Sequence, residues 1–179
     1  MNMTLSLNAF AQKWADVILN SEKIKEYCQN HYQKDVRLFI GGDPQEPPRL
    51  EDSPYIMILP SDKEEGMVDE NEYIVYLLIS INQPGKTADG TTIVNDDSSE
   101  ESSDRYNGAR VIVVKGQQEI IEFSELVIAE LQDSLPKFPI SDQELSVLPG
   151  TGFPQFVSTV KLTTQISPAM GETLTYDEE

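Results

Sequence analysis

The chain has 179 residues, enough for one domain with a substantial core, and its 39% apolar fraction falls a little below the globular average. Part of it is therefore expected to stay outside that core. With 31 acidic against 13 basic residues the formal charge is -18, which argues against phosphate-directed binding of nucleic acid, since such binding needs a basic surface.

The elements follow in chain order. Residues 6–32 read as helix, with Phe10, Trp14, Val17, Ile18, Ile24, Tyr27 and Cys28 mostly three and four apart on one stripe. Ser6 or Asn8 caps its start, and Asn20-Ser21-Glu22 offers a break into two helices with Ser21 as the second cap. Asp35–Ile40 is a short alternating run of strand type, ended by Gly41-Gly42-Asp43-Pro44. Pro54 and Pro60 fence a compact apolar strand, after which Asp62–Gly66 reads as an acidic turn that continues through Asp69, Glu70 and Glu72. Tyr73–Ile81 is almost uninterrupted β-type sequence and should pair with the preceding strand as an antiparallel hairpin. Such a run fits a central strand covered on both faces, or one whose second face lies against another subunit.

Residues 83–107 then carry no core pattern, and a stretch of that length within one domain is expected to be mobile or functional. Thr91–Val94 and Arg110–Val114 could form a small hairpin arm there. Gly116 opens another helix, with Ile120, Phe123, Val127, Ile128, Leu131 and Leu135 on its stripe and Pro136 and Pro139 closing it. Leu145–Leu148 and Gln155–Ile166 are the last strands. The second alternates an apolar row (Phe156, Ser158, Val160, Leu162, Thr164, Ile166) with a polar one. A short acidic tail spans 168–179. The whole reads as a single α+β domain: a mainly antiparallel sheet flanked by two principal helices, with a long extruded loop or β-arm.

Candidate chemistry is sparse. The chain has one histidine, His31, one cysteine, Cys28, and one tryptophan, Trp14, so every imidazole-based relay would rest on His31. His31 lies at a helix end, where it favours the negative pole of the dipole, and Cys28 on the apolar stripe reads as a small buried hydrophobe. As a metal pair the two lack a third and fourth ligand nearby. The acidic stretches Asp62–Glu72 and Asp96–Asp104 lack the spacing of an EF-hand loop. Gly41-Gly42 and Gly150-Thr151-Gly152 are too short for phosphate loops, and the latter pair of glycines should shape the turn between the last two strands. No residue is assigned a catalytic, cofactor-binding or metal-binding role, and no enzymatic activity is expected. A lone cysteine fits a reducing compartment. The first residues show no signal-peptide pattern, and no run approaches the roughly 18 apolar residues of a membrane helix, so a soluble cytoplasmic protein is expected.

The proline-fenced PYIMILP strand, the YIVYLLISI strand after it, the long polar insertion, VIVVKG leading into a helix, and the long alternating strand after GFPQF together form a pattern. It resembles the tail-terminator, minor tail and neck proteins of long-tailed bacteriophages and prophages, over most of residues 8–167. The chain departs from that pattern in its very acidic stretch at 95–104. The resemblance implies a structural virion-assembly protein that forms a ring, commonly of six copies. Such a ring caps the tail tube, meets head-connector proteins and lets DNA pass; it assembles in the host cytoplasm and ends in the virion tail or neck. An arm at 84–115 would reach a neighbouring subunit.

The charge has three readings: a well-solvated surface, a wall past which DNA slides without sticking, and a surface that imitates nucleic acid or receives a basic partner. Three rival functions remain beside the resemblance. The first is an acidic secretion-type chaperone that binds an unfolded partner segment. The second is a nucleic-acid mimic, and the third an enzyme working with carboxylates alone.

Overall fold

Ser6 begins the first helix, α1 (Leu7–Asn20), by accepting the Ala9 N–H on its hydroxyl at 3.1 Å. Phe10, Trp14 and Ile18 form the stripe that α1 buries, with Ala11 and Ala15 keeping its backbone close to its neighbours. At Ser21 the backbone turns extended, and the same residue closes α1 and caps α2 (Glu22–Tyr32), taking the Ile24 N–H at 3.2 Å. The break offered by the sequence is therefore real, and three helices flank the sheet among the described residues. Gln33 ends α2 in the left-handed region, with φ of 56°.

The computed structural model describes residues 6–43, 45–65, 71–82, 115–148 and 155–166. The expected insertion at 83–107, the small hairpin arm, the turn at Gly150–Gly152 and the tail at 168–179 all lie outside the described residues.

Among the described residues five strands make one sheet: β1 (Arg37–Ile40), β2 (Tyr55–Glu65), β3 (Asn71–Asn82), β4 (Ile140–Val147) and β5 (Gln155–Ile166), in the spatial order β1-β2-β3-β5-β4. Every pairing is antiparallel except β1 with β2, which run parallel. The third helix, α3 (Lys115–Ser134), links the two halves of the sheet in sequence. The fold is α+β.

Two strand boundaries differ from expectation. β2 does not stop at Pro60 but runs on to Glu65, so most of the expected acidic turn is strand, paired with β3 from Asn71. The physical reason lies in the edge: β1 ends at the Ile40–Ile58 pair, so among the described residues no strand pairs with that side of β2 beyond Ile58, and a proline is tolerated there. The register shifts between Pro60 and Asp62. β4 begins at Ile140, not Leu145, because its polar first half is exposed at the opposite edge and shows no apolar pattern.

Side chains alternate across β3, and Tyr73, Val75, Leu77, Ile79 and Ile81 are all buried on one face. They join Ile56 and Ile58 of β2, Phe156, Val160 and Leu162 of β5, and the stripes of all three helices in one core. Phe10 stacks on Tyr73 with ring centroids 4.8 Å apart. Gly116, in the first turn of α3, lies so close to Phe156 that a Cβ there would run into the ring. Polar groups within this core are mostly satisfied. The Ser124 hydroxyl donates to the Ile120 carbonyl at 2.6 Å and meets the Ser158 hydroxyl at 2.7 Å, which accounts for a serine in the apolar row of β5.

Candidate interaction surface

The second face of the sheet is built by the alternate residues of the same strands. Their register sets them in rows that cross it. One row runs Phe39, Met57, Leu78, Thr159, Ser146; the next runs Leu59, Tyr76, Lys161, Glu144; a third runs Asp62, Ile74, Thr163, Asp142. The first two rows are apolar over β1, β2 and β3 and become polar or acidic over β5 and β4; in the third, Ile74 alone is apolar and Asp62 on β2 is already acidic. Met57, Leu59, Ile74, Tyr76 and Leu78 are half-buried, and none belongs to the core on the helix side. The three helices pack their buried stripes on the other face. Among the described residues the helices pack on the Tyr73–Ile81 face of β3 alone, while Tyr55, Ser80, Val157 and Thr163 are also buried on the second face.

Acids border this apolar half. At one end Glu64 stands directly opposite Glu72, next to Asp62, and the Glu72 carboxylate accepts a hydrogen bond from Gln165 at 3.1 Å. Asp142 and Glu144 lie across β5 on the far strand, both exposed. Two cations share the face. Arg37 forms an ion pair with Asp52, and Lys161 sits in register between Tyr76 and Glu144. Like charges opposed across a strand pair are unfavourable, so the Glu64–Glu72 pair would gain from a nearby cation.

A shallow groove adjoins the apolar half where β1 ends. It encloses about 590 Å³ and is lined in part by Phe39, Met57, Gly41 and Gly42. Gly41 adopts φ of 82°, the left-handed turn that ends β1, and the Gly42 α-carbon faces the Met57 methyl. This glycine pair shapes a groove wall and is followed by no helix N-terminus.

The other residues singled out in the sequence are placed as follows. Trp14 is buried in α1 against Phe10, with centroids 5.1 Å apart. Cys28 is fully buried, and burial pushes its thiol up to about 12. His31 is exposed in the last turn of α2 and stacks on Tyr27 at 4.1 Å, while Tyr27 stacks in turn on Phe123 at 5.3 Å. Burial raises the Tyr27 and Tyr32 hydroxyls above the ordinary phenol range. Asp62 and Glu72 come together at the border of the open face, and Asp96–Asp104 lies outside the described residues. Among the described residues no group of three or more His, Cys, Asp or Glu side chains is placed to hold a metal ion. No helix among them is long and apolar enough to cross a membrane.

The sequence left the second face of β3 as one of two readings, because the strand is apolar on both sides. The signal was in its neighbour: β5 alternates strictly, so the face that carries Thr159, Lys161 and Gln165 had to reach water or a partner. No protein-family model matches the chain, and no curated protein matches it.

Proposed function

We propose that this chain is a structural assembly protein of a long-tailed bacteriophage or prophage, one that caps or completes the tail tube and joins it to the head connector as a ring. The observation that carries this reading is the one-sided sheet. Its helix face carries the main core cluster, while half-buried Met57, Leu59, Ile74, Tyr76 and Leu78 on its other face form an apolar half that a protein neighbour could cover. The element order from helix pair through hairpin, helix and final strand pair supports the same reading. An acidic wall would let DNA pass without capturing its phosphates.

Negative-stain imaging of the purified chain, alone and mixed with uncapped tail tubes, tests the proposal. Closed rings of about six copies that seat on tube ends are the expected result. Particles that never close into rings and never bind tube ends would overturn it. The same apolar half also favours a second reading, an acidic chaperone for an unfolded partner segment, for which a stable dimer that orders a client peptide would be diagnostic.

A further inference from the structure

The open face raises the question of what covers it, and its charges narrow the answer. Its apolar half is edged by Asp62, Glu64 and Glu72 at one end and faces Asp142 and Glu144 across the sheet. A second copy of the chain laid on this face brings five acids, Asp62, Glu64, Glu72, Asp142 and Glu144, towards the same five, with Arg37 and Lys161 as the two described cations to set against them, and each copy carries -18. A partner with lysines or arginines beside an apolar stripe meets the opposite situation. Its stripe covers Met57, Leu59, Ile74, Tyr76 and Leu78, and its cations reach the unfavourable Glu64–Glu72 pair. A helix is the natural form for such a segment, since it would complete a helix–sheet–helix layering over a sheet already covered by helices on its other side.

We infer that the apolar half of the open face is the seat of an amphipathic segment from a different protein, with an apolar stripe flanked by lysine or arginine, and not of a second copy of this chain. The inference rests on the assembly reading above and names the chemistry of the neighbour that reading requires.

The probe is a synthetic helical peptide of about 18 residues, five turns, with leucines at i, i+3, i+4 and i+7 and lysines on the flanks. A second peptide keeps the leucines and replaces each lysine by glutamate. Binding to the full-length chain is read by fluorescence anisotropy at low and moderate salt, with the mass of the same samples followed by light scattering. The lysine peptide is expected to bind at least about tenfold more tightly than the glutamate peptide and to weaken with salt. Leu78→Lys is expected to lower that binding at least about tenfold, whereas Leu78→Met retains it.

Equal binding of the two peptides, or binding indifferent to Leu78→Lys, overturns the inference. So does self-association that Leu78→Lys abolishes, because a second copy then occupies the face. Absence of binding with Met57 protected from oxidative footprinting in the free chain also overturns it, since another part of the chain then covers the face. A ring that binds neither peptide defeats this inference alone. A monomer that binds the lysine peptide defeats the ring alone.

Discussion

The Ser21 hydroxyl donates to the Glu130 carboxylate at 2.7 Å while it accepts the Ile24 N–H, so one side chain both starts α2 and ties the α1–α2 corner to α3. Lys23 completes the arrangement from α2, 2.6 Å from the other Glu130 oxygen. Glu130 is almost fully buried, whereas Lys23 is largely exposed. The two helices therefore meet α3 through a carboxylate that is fully engaged, and the long helical stretch expected from the sequence bends where that carboxylate can be reached.

Loss of this link should be measurable as stability. Ser21→Ala removes a helix cap and a buried hydrogen bond together, and should lower the unfolding free energy by about 1–2 kcal/mol in urea titrations.

The pH dependence of the same link has a definite sign. The Lys23 hydrogen bond, followed by that of Ser21, holds the Glu130 carboxyl below the ordinary glutamate range. A lowered folded-state value stabilises the protein above the ordinary range, and that contribution is lost as pH falls through the lowered value. Glu130→Gln lacks it. Urea midpoints of wild type and Glu130→Gln should differ most near about pH 7 and draw together as pH falls below the ordinary glutamate range.

Gly116→Ala tests the approach of α3 to the sheet. Alanine favours a helix over glycine by up to about 1 kcal/mol, yet here its methyl would enter the Phe156 ring. Overpacking should win, with a net destabilisation of about 1–3 kcal/mol by thermal or chemical denaturation. An unchanged or raised stability would mean that Phe156 moves aside freely.

Leu77 and Leu78 are neighbours in β3 that point to opposite faces, the first fully buried and the second half-buried. Leu77→Ala should cost about 2–5 kcal/mol, as truncations in a packed core do. Leu78→Ala should cost about 1 kcal/mol or less, because it removes little surface that folding alone buries. Equal losses in denaturant titrations would show that both faces are packed within one chain.

Thr164 is fully buried beside Tyr73, and its hydroxyl finds no hydrogen-bond partner among the described residues. Thr164→Val keeps the branched shape and removes the stranded polar atom. A gain of about 0.5–2 kcal/mol in unfolding free energy is expected.

How much of this was legible in the sequence depends on which rows of residues were strictly patterned. The α1 stripe, the Ser6 and Ser21 caps and the alternation of β5 each announce themselves through spacing, and the structure places them as the spacing predicts. The parallel pairing of β1 carries no local signal, since four residues of RLFI fit either direction. The polar half of β4 was invisible because an exposed edge strand needs no apolar row, and the continuation of β2 past Pro60 was hidden by a proline that only an edge tolerates. The second face stayed one of two readings because β3 is apolar on both sides. Ile74, Tyr76 and Leu78 read like core until the helices are seen on the opposite side.

The central claim is that this chain assembles with copies of itself while it keeps the apolar half of its sheet for a different partner. Light scattering on wild type and Leu78→Lys, at low and moderate salt, tests it most directly. The account predicts about six copies of the 20.1 kDa chain, about 120 kDa, favoured by salt that screens their mutual repulsion and unchanged by Leu78→Lys. A 20.1 kDa species at every salt concentration, or an assembly that Leu78→Lys dissolves, would contradict it.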